Sequence, residues 1–164
     1  ALDRLKQGGA RRVLFAGCRQ EEPDHVQRLE AFTRLAPRHF AKNHFTMPQW
    51  PLNGSAIHEI VKRENIDAII GVDDAAALSA MRVCREHRLS IPGEVQIIGI
   101  DDSADAAAAV PRLATYRQPL DEMTLCAVDL AMGKRARARR FSATFIAGES
   151  IRQHPPRPSH DSMH

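Results

Sequence analysis

The chain has little that would suit it to a membrane, an oxidising compartment or a nucleic-acid surface. Among its 164 residues no apolar run approaches the roughly 20 needed to cross a bilayer. The start, ALDRLKQGGARRVLF, has neither a long apolar stretch nor a small-residue cleavage site, so no export signal is expected. Cys18, Cys84 and Cys126 are odd in number, far apart and set in apolar surroundings. That pattern suits reduced, buried thiols in a cytoplasmic protein better than a disulfide framework. Aromatic residues make up only 5% of the chain, with one tryptophan and one tyrosine. The net charge is +3, and much of the excess lies in Lys134, Arg135, Arg137, Arg139 and Arg140. No aromatic interleaves with them to stack bases, so the stretch reads as a solvated loop. The eight histidines form no HExxH and no Cys/His pairing at metal spacing, and there is no GxSxG or phosphate loop. A structural zinc site and the common hydrolase and nucleotide motifs are therefore not expected, and no cofactor is implied.

What the chain does have is a pair of acidic doublets at the ends of apolar runs: AIIGVDD, closing at Asp73 and Asp74, and VQIIGIDD, closing at Asp101 and Asp102. Such runs read as strands buried on both faces, and a parallel sheet delivers their C-terminal residues to one edge. In open α/β sheets that edge is where ligands bind.

The rest of the chain alternates in the same way. Residues 1–7 resemble the last turns of a helix stopped by Gly8-Gly9, and Arg12 to Ala16 reads as a strand. A helix is expected from about His25 to Ala36, ended by Pro37, then a weak strand from His39 to Met47 and a turn around Trp50. Ser55 is the expected N-cap of a helix to about Glu64. The strand Asp67 to Val72, a helix from about Ala75 to His87 and the strand Val95 to Ile100 follow, at a spacing that fits right-handed βαβ units. Beyond an alanine-rich loop come an extended segment, Ala114 to Gln118, and a helix from Pro119 to about Met132. Its expected buried stripe is Leu120, Met123, Ala127 and Leu130 or Ala131. A last strand runs from Phe141 to Ile146, and the Pro, His and Ser tail from His154 to His164 is expected to be disordered.

Several of these landmarks resemble the effector-binding domain of LacI/GalR-type bacterial repressors, which shares its fold with periplasmic sugar-binding proteins. NIDAIIGVDDAAALSAMRVCREHRLSIPGEVQIIGIDD is similar to that family's strand, Asn-Asp, helix, IPxDV and GFDD block, and PRLATYRQPLDEM to its crossover; RRVLFAG and VQRLEAF match more loosely. The resemblance implies an α/β, Rossmann-like parallel sheet flanked by helices, of periplasmic-binding-protein-like type I, with one nearly complete lobe and a fragment of the other. It places residues 1–118 in the C-terminal lobe and 119–153 in a crossover helix and strand of the N-terminal lobe. It further implies a small sugar-like effector, a homodimer, and operator binding only through a helix-turn-helix head that has no counterpart here. Family members carry Asn-Asp where this chain has Asp73-Asp74, and Gly where it has Ala31.

By that resemblance Arg28 is the ligand-clamping arginine, whose planar fork suits vicinal hydroxyls or a carboxylate. Asp101 is the acceptor for ligand hydroxyls. Asp73 serves either the ligand or the fold; Gln118 lines the cleft or holds the hinge; Trp50 stacks on a sugar or packs in its loop. Asp74 and Asp102 are expected to be helix N-caps. Met81 and Cys84 are core or dimer-interface residues. Asp73 in place of Asn hints at a donor-rich ligand such as a neutral sugar, because a carboxylate only accepts. Two other functions fit the residues: a sugar-binding protein for transport or chemoreception, and a Mg²⁺-dependent enzyme using Asp73 and Asp101. The second lacks a lysine beside either doublet.

Overall fold

A computed structural model of the chain describes residues 1–133 and 140–153. Four short strands, β1 (Val13–Ala16), β2 (His44–Met47), β3 (Ala68–Gly71) and β4 (Gln96–Ile98), form a parallel sheet in the order β2-β1-β3-β4. Every residue of β1, β3 and β4 is buried, as runs such as VLFA and AIIG require when helices cover both faces. β2 pairs only with β1, and its partly exposed HFTM suits an edge strand.

The crossovers follow from this order. α2 (Pro23–Phe40) leads from β1 towards one edge, whereas α3 (Gly54–Glu64) and α4 (Asp74–Glu86) lead in the opposite direction. Right-handed connections therefore place α2 on one face, and α3 and α4 together on the other. The short α1 (Leu2–Gln7) packs beside α2, and α3 beside α4. Met81 and Cys84 are core residues of α4, not part of an exposed interface. Cys18 is also buried, all three cysteines are free thiols, and burial pushes Cys84 up to about 11.

Some element ends differ from the sequence expectation. Pro37 does not end α2, which continues to Phe40 because the extra turn buries Phe40 against the core. β2 accordingly begins at His44, not His39. α3 is capped by Asn53, whose side chain accepts from the Ala56 amide at 3.2 Å, and not by Ser55.

After β4 come α5 (Ala104–Ala108), β5 (Thr115–Arg117), α6 (Leu120–Ala131) and β6 (Thr144–Ile146). β5 and β6 form a two-stranded antiparallel sheet joined to the main one by the Ile98–Ala114 bridge. Residues 144–153 run back along the same body: the Ser150 hydroxyl donates to the Ile97 carbonyl at 2.6 Å and accepts from the Ala114 amide at 2.8 Å. The expected buried stripe of α6 is absent, since none of its residues is buried and Leu125 is 67% exposed. Of the basic stretch, Lys134, Arg135, Arg137 and Arg139 lie outside the described residues, as does the tail from His154; Arg140 is exposed.

Candidate ligand-binding cleft

Because the main strands are parallel, the loops after β1, β2, β3 and β4 reach the same edge, and they carry Arg19, Trp50, Asp73 and Asp101 respectively. Asp101 holds φ at +119°, a conformation rare for a residue with a side chain. Its amide donates to the Tyr116 carbonyl at 2.8 Å, which holds this turn in place. Gln118 Nε2 donates to Asp101 Oδ1 at 2.7 Å, and Arg28 Nη2 reaches the same oxygen at 3.4 Å. Burial raises the Asp101 pKa, and the Gln118 hydrogen bond and the Arg28 charge offset part of that rise. Arg28 is fixed in turn: Nη1 donates to the Val72 carbonyl at 2.7 Å and Nη2 pairs with Asp24 at 3.1 Å. The structure thus joins Arg28, Asp101 and Gln118 into one chain of contacts.

Asp73 is the N-cap of α4. Its Oδ1 accepts from the Ala76 amide at 2.7 Å, while Oδ2 faces Arg19 at 3.5 Å and His25 at 3.6 Å. Capping was expected of Asp74 and Asp102, and neither does it. Asp74 is the first residue of α4 and only 2% exposed. It accepts from the Thr115 hydroxyl at 2.5 Å and from the Ser103 amide at 2.7 Å, tying α4 to α5 and β5. Gly99 packs so closely on Asp74 that a Cβ there would collide with its carboxylate. Asp102 pairs with Arg117 at 2.6 Å, and Ser103 caps α5 instead. The capping position goes to the residue one step before the first helical turn, a register that a DD doublet leaves open.

Trp50 lies partly buried against the core, and Arg19 stacks on it with the guanidinium carbon 4.4 Å from the ring centroid. Arg19 also pairs with Glu22 at 3.2 Å. His25, 3% exposed, connects these groups: Nδ1 accepts from the Arg19 amide at 3.3 Å, and Nε2 faces Glu22 Oε2 at 3.0 Å. Nothing in the apolar periodicity of the chain points to Arg19, Glu22 or His25. The usable signal is their place in and after the polar loop that follows β1, which a parallel sheet must send to the ligand edge.

Glu22, Asp24 and His25 bring three donor atoms within 4.8 Å of one another, enough for a metal to be considered. The Arg19 amide, however, selects the tautomer with the proton on Nε2, the nitrogen that faces the carboxylates. A metal ligand needs a lone pair there, so the group fits a hydrogen-bonded hub better than a metal site.

The model of the periplasmic binding protein-like domain matches residues 2–151. The HTH-type transcriptional regulator GalR of Salmonella typhimurium is 28% identical over 171 residues, covering 100% of this chain and 50% of the regulator. The chain therefore spans about half the length of the curated relatives it matches most fully. The Escherichia coli transcriptional repressor ascG superposes with a TM-score of 0.73 at 24% identity, over 91% of this chain and 58% of that one. The complex of the transcriptional regulator CelR with cellobiose superposes with a TM-score of 0.72 at 25% identity, over 92% of this chain and 50% of that one. With the strand order, the edge-lying site and these relatives in agreement, the chain belongs to the periplasmic binding protein-like domain family, among relatives that are LacI-family transcriptional regulators.

Proposed function

We propose that this chain is the effector-sensing portion of a cytoplasmic LacI-type transcriptional repressor. It binds a small sugar-like molecule and alters operator binding by a helix-turn-helix head elsewhere in the protein. The observation that carries this reading is the contact chain Arg28–Asp101–Gln118 at the C-terminal edge of the sheet. It offers a fork donor, a carboxylate acceptor and an amide, a set matched to sugar hydroxyls. A ligand hydroxyl that donates to Asp101 shares the carboxylate that Gln118 holds. Gln118 stands two residues before α6, so ligand binding is coupled to the segment that leaves this body. Such coupling regulates only if the effector binds the two arrangements with different affinity.

In this reading residues 1–118 form the core of one lobe. Residues 119–153 are the crossover, with α6 its contribution to a second lobe, while its strand packs back on the first. Support comes from the composition of α6, whose Leu120, Leu125, Val128 and Leu130 are all exposed, as is Met132 just after it. A helix apolar on all sides is ordinarily buried. A homodimer follows from the same family reading. Among the relatives, CelR has a structure with cellobiose, which supports a neutral sugar as the effector class. The test is thermal unfolding of the chain with cellobiose, D-galactose or Mg²⁺ added. Stabilisation by a sugar and not by Mg²⁺ is expected; stabilisation by Mg²⁺ alone would favour metal chemistry at the acidic doublets.

A further inference from the structure

We infer that Arg19, seated on Trp50 and held by His25, is a second ligand-contacting guanidinium of the cleft and a determinant of its specificity. The inference rests on reading the cleft as a sugar site, but its evidence is separate from the Arg28–Asp101–Gln118 chain. Arg19 stacks on the face of Trp50 at 4.4 Å. The indole face that would otherwise meet a sugar ring is therefore covered by a guanidinium, and Trp50 becomes a pedestal.

The stacking also orients the fork. Both side-chain hydrogen bonds that Arg19 makes among the described residues, to Glu22 at 3.2 Å and Asp73 at 3.5 Å, leave from Nη1. A guanidinium carries five N–H donors, so Nε and Nη2 remain for a ligand. The side chain is 25% exposed, open enough to be reached and covered enough to be ordered. At its backbone, the Arg19 amide is pinned to the Nδ1 of His25, which is almost fully buried. Beside it, among the described residues, Asp73 Oδ2 has two long contacts, to Arg19 and His25, while Oδ1 is committed to capping α4. Arg19 and Asp73 together offer donors next to an acceptor, the arrangement that two neighbouring hydroxyls of a polyol satisfy at once. Arg19→Lys would keep the charge and lose both the fork and the stacking geometry.

Trp50 is the only tryptophan of the chain, so its emission reports on this pair directly. Wild type, Arg19→Ala and Arg19→Lys are compared by calorimetric titration with cellobiose and with D-galactose, and by Trp50 emission and acrylamide quenching without sugar. Losing charge-assisted hydrogen bonds is expected to weaken binding about tenfold or more in both variants. Trp50 should become more quenchable in Arg19→Ala, with unfolding temperatures unchanged. Affinity that is retained or improved in Arg19→Ala would show that the arginine only shields the indole, overturning the inference while leaving the sugar reading intact. Failure of both sugars to bind wild type would overturn the sugar reading and this inference with it.

Discussion

Gln118 Nε2 donates to Asp101 Oδ1 at 2.7 Å, so the residue leading into α6 is tied to the residue that ends the β4 edge. Burial raises the Asp101 pKa and this hydrogen bond opposes the rise. Because the native carboxyl holds its proton to higher pH than the unfolded one, Asp101 lowers stability as pH rises through the interval between the two pKa values. Asp101→Asn removes that penalty and keeps an oxygen for Gln118. Its unfolding temperature at pH 7 should equal or exceed that of wild type, with the difference shrinking below about pH 4, the ordinary aspartate range. Gln118→Ala should raise the Asp101 pKa further, as followed by carboxyl NMR titration.

Asp73 separates capping from binding. Asp73→Asn retains an acceptor for the Ala76 amide and should leave stability nearly unchanged. Asp73→Ala removes the cap and should cost about 0.5–2 kcal/mol in urea unfolding. Equal losses in the two variants would mean that the charge, not the cap, holds α4.

Asp74 is structural throughout. Asp74→Ala leaves the Thr115 hydroxyl and the Ser103 amide without their acceptor, and should cost about 2–4 kcal/mol. Gly99→Ala places a methyl group against the Asp74 carboxylate and should cost about 1–3 kcal/mol. Urea midpoints measure both.

The exposed face of α6 should be indifferent to charge in the chain by itself. Leu125→Glu is expected to change stability by no more than about 0.5 kcal/mol. It should also reduce binding of a hydrophobic dye, since Leu125 is 67% exposed. A large loss of stability would place Leu125 in a packed core and remove one support for a second lobe.

The parallel sheet was legible because its strands are continuous apolar runs and its helices carry regular stripes. AIIG and QII admit no alternative once helices flank them. The ends of elements were less legible, because Pro37 is overruled by the burial of Phe40, a tertiary effect. Arg28, Asp101 and Gln118 were nominated by resemblance, and the geometry brings them together. The division of labour within each acidic doublet was not legible, since the helix start decides it to a single residue. Arg19 and His25 were invisible for a different reason: one lies in an irregular loop and the other on the buried side of a mostly polar first turn. Only the direction of the strands brings them to the ligand edge. The stripe expected of α6 is not satisfied within this chain, because the periodicity of a helix shows that a face needs cover without showing what covers it.

The most direct test of the cleft is calorimetric titration of cellobiose and D-galactose into wild type and Asp101→Asn, a variant expected to be at least as stable as wild type at pH 7. One or both sugars should bind wild type and bind the variant at least about tenfold more weakly, the loss of a charge-assisted hydrogen bond at the site. Binding of equal strength in the two proteins would contradict the assignment of Asp101 as the ligand acceptor, and with it the site.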